Sequence, residues 1–139
     1  MNEADAAAMQ IVSHMFANDR AARSMGIELL EVRAGYAGVA FSVREDMLNA
    51  YGSAQGGYIF ALADTAFAYA CNSRGETSVA LNCSISFASP GRVGARLTAS
   101  ARERTLGGRT GVYDVEVVDE AGTIVALFRG TSYRVTRVG

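Results

Sequence analysis

The sequence predicts an α+β domain in which six antiparallel strands wrap around one long central helix, with a further helix ahead of them. Three observations carry that expectation. The stretch Gly56 to Cys71 is apolar at almost every position, so it has no face suited to water. Beyond Asn72-Ser73-Arg74-Gly75, whose polar residues and glycine stop a helix, the apolar period changes to two. The four strands that follow are joined by short turns, which places them antiparallel. A sheet of that kind can curl around a helix, and a helix with no polar face needs such cover.

In chain order, residues 4–24 read as an amphipathic helix ending before Gly26, with His14 among Met9, Val12, Met15 and Phe16. Two strands follow, Ile27 to Arg33 and Tyr36 to Arg44, paired across Ala34-Gly35. Residues 45–55 form a polar loop of small residues, and the central helix opens at Gly56-Gly57. In the next strand Val79, Leu81, Cys83, Ile85 and Phe87 point one way, while Ala80, Asn82, Ser84 and Ser86 point the other. Pro90-Gly91 breaks it. A strand from Val93 to Thr105 then turns at Gly107-Gly108 into Arg109 to Val118, and the last runs from Thr123 to Val135. With no repeat or linker, residues 1–139 form a single domain.

Composition narrows the function. Half of the residues are apolar and 19% are charged, which excludes disorder and favours a full core or a buried interface between copies. The net charge of −1 recruits neither nucleic acid nor an anionic membrane. Every one of the 13 basic residues is Arg, so a P-loop, a Schiff base and a lysine base are all impossible. Residues 1–89 carry five Arg against nine acids, and 90–139 carry eight against five. That surplus suits either a phosphorylated ligand or a solvated strand face. Cys71 and Cys83 read as inert core thiols, and the lone His14 has no partners for zinc or for a nucleophile. No signal peptide or membrane span is visible, so a cytoplasmic protein is expected.

The candidate chemistry centres on Asp64, the one charge in the apolar helix. A carboxylate is a poor helix-interior residue and is rarely buried unpaired. Either a neighbour such as Thr65 satisfies it, or desolvation keeps it reactive as a base or nucleophile. Gly56 and Gly57 leave the first N–H groups of the helix bare, the makings of an oxyanion hole, although two glycines also permit a tight entry turn. Eight residues separate Gly56 from Asp64, about 12 Å along the axis, beyond the reach of one carbonyl. Two helices packed antiparallel about a two-fold axis would bring Asp64 of one copy to the glycines of the other. An obligate homodimer with shared active sites is the expectation.

Asn49, Gln55-Gly56-Gly57, Leu62-Ala63-Asp64 and Asn72-Ser73 resemble the signature of hotdog-fold acyl-CoA thioesterases of the phenylacetate-degradation (PaaI) type. Phe87…Pro90-Gly91, Gly108 through Val117 and Val125 through Gly130 extend the likeness over residues 20–135. The resemblance implies a hotdog fold assembled as dimers that pair into tetramers, acting on acyl-CoA with no metal and no cofactor beyond the CoA of the substrate. It implies that Asp64 activates water or attacks the thioester, that the Gly56 N–H polarises the carbonyl, and that Asn49 orients water or substrate. Gly57, Tyr51 and Arg109 are candidate substrate contacts, Arg109 for CoA phosphates.

One position departs from the pattern. The family usually has His before the two glycines, where this chain has Gln55, and Tyr51 stands where a second His is common. A Gln amide donates a hydrogen bond but takes up no proton. Tyr51, Tyr58 and Phe60 suit either an aromatic acyl pocket or plain packing. Hydrolysis of an aromatic acyl-CoA is the leading reading. A dimer that binds acyl-CoA without turnover competes with it, and a hydratase or dehydratase, which commonly needs a His beside the Asp, stands behind both.

Overall fold

The computed structural model describes residues 1–135, so the last four positions of the expected domain lie outside the described residues. Helix α1 (Glu3–Ala17) is capped by Asn2, whose side chain accepts from the Asp5 N–H. The single helix expected over 4–24 is broken at Asn18-Asp19, and a short α2 (Arg20–Ser24) follows. Asp19 causes the break. Its carboxylate caps α2 through the Ala22 N–H at 3.0 Å and accepts the buried Tyr69 hydroxyl at 2.7 Å, the work of a cap rather than of a helix interior.

Strands β1 (Glu28–Arg33) and β2 (Tyr36–Ser42) form the expected hairpin, with Gly35 at φ +79° in its turn. A 3₁₀ turn at Glu45–Met47 and a loop lead into the central helix α3 (Gly56–Asn72). Strands β3 (Ser78–Phe87), β4 (Arg96–Gly107), β5 (Thr110–Val118) and β6 (Ile124–Arg134) complete one six-stranded antiparallel sheet, in the order β1-β2-β4-β5-β6-β3. This is the hotdog arrangement. The strand expected from Val93 begins at Arg96, because Gly94 turns the chain at φ +80°.

Leu62, Ala63, Ala66, Phe67 and Ala70 of α3 share one core with Phe41, Leu97, Tyr113, Val115 and Phe128 of the sheet. Each such large side chain contributes about 1.5–3 kcal/mol through burial. The Phe67 ring lies 5.7 Å, centroid to centroid, from both Tyr113 and Phe128. It also presses on Gly130, where a Cβ would come within 2.8 Å of it. The sheet needs a glycine at that point.

Two features differ from the sequence expectation. The sheet does not cover α3 all round: Gly57, Ala61, Asp64, Thr65 and Ala68 follow helical spacing on one side and none is fully buried. The apolar face expected over Val79 to Phe87 is also interrupted, by a bulge between Ala80 and Asn82. Cys83, Ile85 and Phe87 pair with Gly130, Phe128 and Ala126 on the inner side, whereas Val79 pairs with Tyr133 on the outer one. Because β3 is a sheet edge, it leaves Val79, Leu81 and Phe87 exposed. No helix among the described residues is long and apolar enough to cross a membrane.

Candidate active site

The start of α3 is fixed by backbone ties on three sides. The Gln55 N–H donates to Met47 O at 2.8 Å, the Ala54 N–H to Gly91 O at 2.8 Å, and Ser53 bridges to Arg92. The preceding loop is folded by Asn49, whose Oδ1 accepts from the Tyr51 N–H at 2.9 Å and the Ser53 N–H at 3.3 Å. Its Nδ2 makes no hydrogen bond among the described residues, and this leaves two N–H donors for a ligand.

Gln55 occupies the cap position at φ −60°, ψ 138°, but its side chain makes no capping bond and lies exposed. The Tyr58 N–H turns back to Gln55 O at 3.0 Å, while the N–H groups of Gly56 and Gly57 find no partner among the described residues. Two donors at the positive end of the helix are therefore free for an anionic oxygen. The two glycines differ in cause. A Cβ at Gly56 would stand 2.9 Å from Phe87 Cζ, whereas one at Gly57 would meet nothing within 4 Å. Neither has the left-handed φ that a tight entry turn would demand.

Around these donors lies a depression of about 370 Å³ that includes Asn49, Ser53, Gly56, Ile59, Phe87 and Ser89 in its wall. Tyr51 is 95% exposed and does not line it. Phe60 packs edge-on to Phe128, at 5.4 Å between centroids, on the margin of the core.

Asp64 sits two turns further along α3, about 12 Å from Gly56 by the helical rise, so one chain does not unite them. The simplest structural role for its carboxylate fails, because the Thr65 hydroxyl is spent on Ala61 O at 2.7 Å. No hydrogen bond or ion pair among the described residues reaches Asp64, and burial pushes its pKa above the ordinary carboxylate value. Cys71 and Cys83 lie close enough to feel it. Burial first, then the charge of Asp64, raises both thiols, Cys71 to about 12, so both stay neutral and inert at physiological pH.

Arg109 sits in the β4–β5 turn at the opposite end of α3, where Cys71, Arg74, Tyr113, Arg109 and Arg134 surround a cavity of about 110 Å³. Its carbonyl accepts the Arg134 N–H at 2.7 Å, and its Nη1 donates to Arg134 O at 3.5 Å. Other arginines of the basic tail belong to the sheet surface. Arg129 pairs with Asp114 at 2.6 Å, Arg104 with Asp114 at 3.5 Å and Arg96 with Glu28 at 3.0 Å.

The structure thus gathers Asn49, Gln55, Gly56 and Gly57 at one end of the helix, with the Tyr51 side chain in the same loop turned out to solvent, and leaves Asp64 and Arg109 apart from them. Phe87 joins the first group although it was no sequence candidate as a contact. The signal available was an aromatic at a strand end just before Pro90-Gly91. No cluster of three metal-binding side chains occurs among the described residues.

Known proteins place this arrangement. Residues 51–126 match the thioesterase superfamily. The chain is 48% identical over 128 residues to the acyl-coenzyme A thioesterase PaaI of Escherichia coli, covering 92% of this chain and 91% of that one. The solved E. coli PaaI protein from the phenylacetic acid degradation operon superposes with a TM-score of 0.95 at 46% identity, over 96% of this chain and 97% of that one. A Streptococcus mutans UA159 protein solved with acetyl CoA bound superposes with a TM-score of 0.77 at 30% identity, over 81% of this chain and 91% of that one. The chain therefore belongs to the thioesterase superfamily of hotdog-fold enzymes.

Proposed function

We propose that this protein is a cytoplasmic enzyme that hydrolyses acyl-CoA thioesters, with an aromatic acyl group of the phenylacetyl or hydroxyphenylacetyl kind, to the free acid and CoA. The observation that carries the mechanism is a pair of unsatisfied groups on one helix. Among the described residues Asp64 is desolvated with no hydrogen-bond donor, and the Gly56 N–H, about 12 Å away, has no acceptor. An antiparallel copy of the helix would bring the two to opposite sides of one substrate carbonyl.

The side of α3 between them favours that pairing. Gly57, Ala61 and Ala68 are small and not fully buried, so a second α3 can approach closely, and edge strand β3 leaves Val79 and Leu81 exposed for further contact between copies. The proposed unit is a homodimer with two shared sites, and dimers pair into tetramers. Asp64 of one protomer takes a proton from water, which attacks the thioester carbonyl, or attacks the carbonyl itself to form an anhydride that water then opens. The partner's helix start holds the developing oxyanion through the Gly56 N–H, with the Asn49 Nδ2 and Gln55 amides orienting carbonyl and water and Gly57 beside them. Arg109 is proposed to meet the CoA phosphates. The CoA sulfur leaves as a thiolate near the reference thiol pKa of about 8.5, so a histidine acid is unnecessary and Gln55 suffices. No metal or further cofactor enters.

Gln55 also favours a second reading, a dimer that binds acyl-CoA without cleaving it. Thiol release measured across phenylacetyl-, hydroxyphenylacetyl-, benzoyl- and straight-chain acyl-CoAs separates the two. Turnover fastest on the aromatic esters supports the proposal, and binding without release for every ester refutes it.

A further inference from the structure

We infer that Phe87 is the specificity-determining residue of the acyl subsite, and that its ring selects a flat aromatic acyl group beside the Gly56 donor; this rests on the thioesterase reading above. Four observations converge on the ring. It stands against Gly56, where an added Cβ would lie 2.9 Å from its Cζ. It is 53% exposed and stacks on no other ring among the described residues, so its apolar face is available. It forms part of the wall of the 370 Å³ depression, a volume within the range of small-molecule sites. No charged side chain among the described residues lines that depression, which suits an acyl group and not the phosphates of CoA.

The backbone that carries the ring is also held in place. Phe87 pairs with Ala126 at the end of β3, and the Ala88 and Ser89 N–H groups both donate to Val125 O, at 2.8 and 3.2 Å. The Ser89 hydroxyl donates to Ile124 O at 2.7 Å, and Pro90 follows. An aromatic wall on a fixed backbone is preorganised for a planar guest, whereas a flexible chain in the same place gains only ordinary burial. Tyr51, Tyr58 and Phe60 do not form this wall.

The test compares phenylacetyl-CoA with hexanoyl-CoA on the wild type, Phe87→Leu and Phe87→Tyr, reading kcat and KM for each. Equilibrium binding of the same two esters is read alongside. Phe87→Leu keeps apolar bulk and loses the ring, so the phenylacetyl/hexanoyl ratio of kcat/KM should fall about five-fold, mostly through KM. Phe87→Tyr should keep the ratio within about two-fold of the wild type, since the aromatic face remains. Equal losses on both esters would overturn the inference, because the ring would then serve the shared CoA arm. A Phe87→Leu protein that sediments as a smaller species would also overturn it, by making the ring an assembly contact. If the wild type binds both esters but cleaves neither, the thioesterase reading fails alone, and the binding ratio still decides the role of Phe87.

Discussion

Asp64→Asn should make the protein more stable and less active at once. The change is nearly isosteric, and the carboxylate it removes has no hydrogen-bond partner among the described residues. Burial raises the folded-state pKa of Asp64 above its unfolded value of about 3.9. The folded state thus holds the proton more tightly, and the favourable contribution is complete below the unfolded value and lost as pH rises through the raised one. At pH 7 the ionised carboxylate is a net cost, which an amide relieves. A desolvated polar group without a partner costs on the order of 1 kcal/mol. In a chain of this length that corresponds to a melting temperature about 4 °C higher for the variant. Loss of the base lowers turnover by about 10²–10⁴, or about 3–5 kcal/mol in barrier. Melting curves at pH 7 and pH 3, with thiol release at pH 7, test both halves. A variant that melts higher at pH 7, with the gap closed at pH 3, and turns over slowly is the expected result. Undiminished turnover would remove Asp64 from the chemistry, and a lower melting temperature at pH 7 would mean that the carboxylate is paired after all.

Other changes separate the parts. Gly56→Pro deletes the proposed oxyanion donor at the first helical position, after a Gln55 whose extended backbone accepts a following proline, and it is read against Gly56→Ala, which pushes on the Phe87 ring in the same way but keeps the N–H. Turnover should fall about 10²–10³ with helix content by circular dichroism unchanged, and full turnover would show that another group holds the oxyanion. Gly130→Ala drives a methyl within 2.8 Å of the buried Phe67 ring. Denaturant unfolding should show a loss of about 1–3 kcal/mol, and no loss would mean that the helix floats freely over the sheet.

The sequence carries local pattern well and distant contact poorly. Helix α3 and the switch to strands at Arg74-Gly75 were legible because periodicity is local. The break at Asn18-Asp19 was not, since Asp19 becomes a cap partly by accepting from Tyr69, fifty positions away. The bulge at Ala80–Asn82 was hidden because Val79 and Leu81 keep the apolar alternation, and at an exposed edge the register is set by β6 and not by burial. At the site, the isolation of Asp64 in an apolar helix announced its desolvation. The reason for Gly56 stayed invisible, because the ring that requires it stands 31 residues later. The location of Arg109 at the far end of α3 depends on how the β4–β5 hairpin lies over the helix, which residue spacing does not encode.

The central claim is that Asp64 of one protomer works with the helix start of its partner, and subunit mixing tests it most directly. Asp64→Asn and Gly56→Pro proteins, each nearly inactive alone, are unfolded together, refolded and assayed for thiol release. In a mixed dimer the intact Asp64 of one chain meets the intact Gly56 of the other, so one of its two sites is whole. Random pairing makes half of the dimers mixed, and about a quarter of the wild-type activity should return. Mixed dimers confirmed by mass, with activity no higher than that of the separate variants, would contradict the shared site.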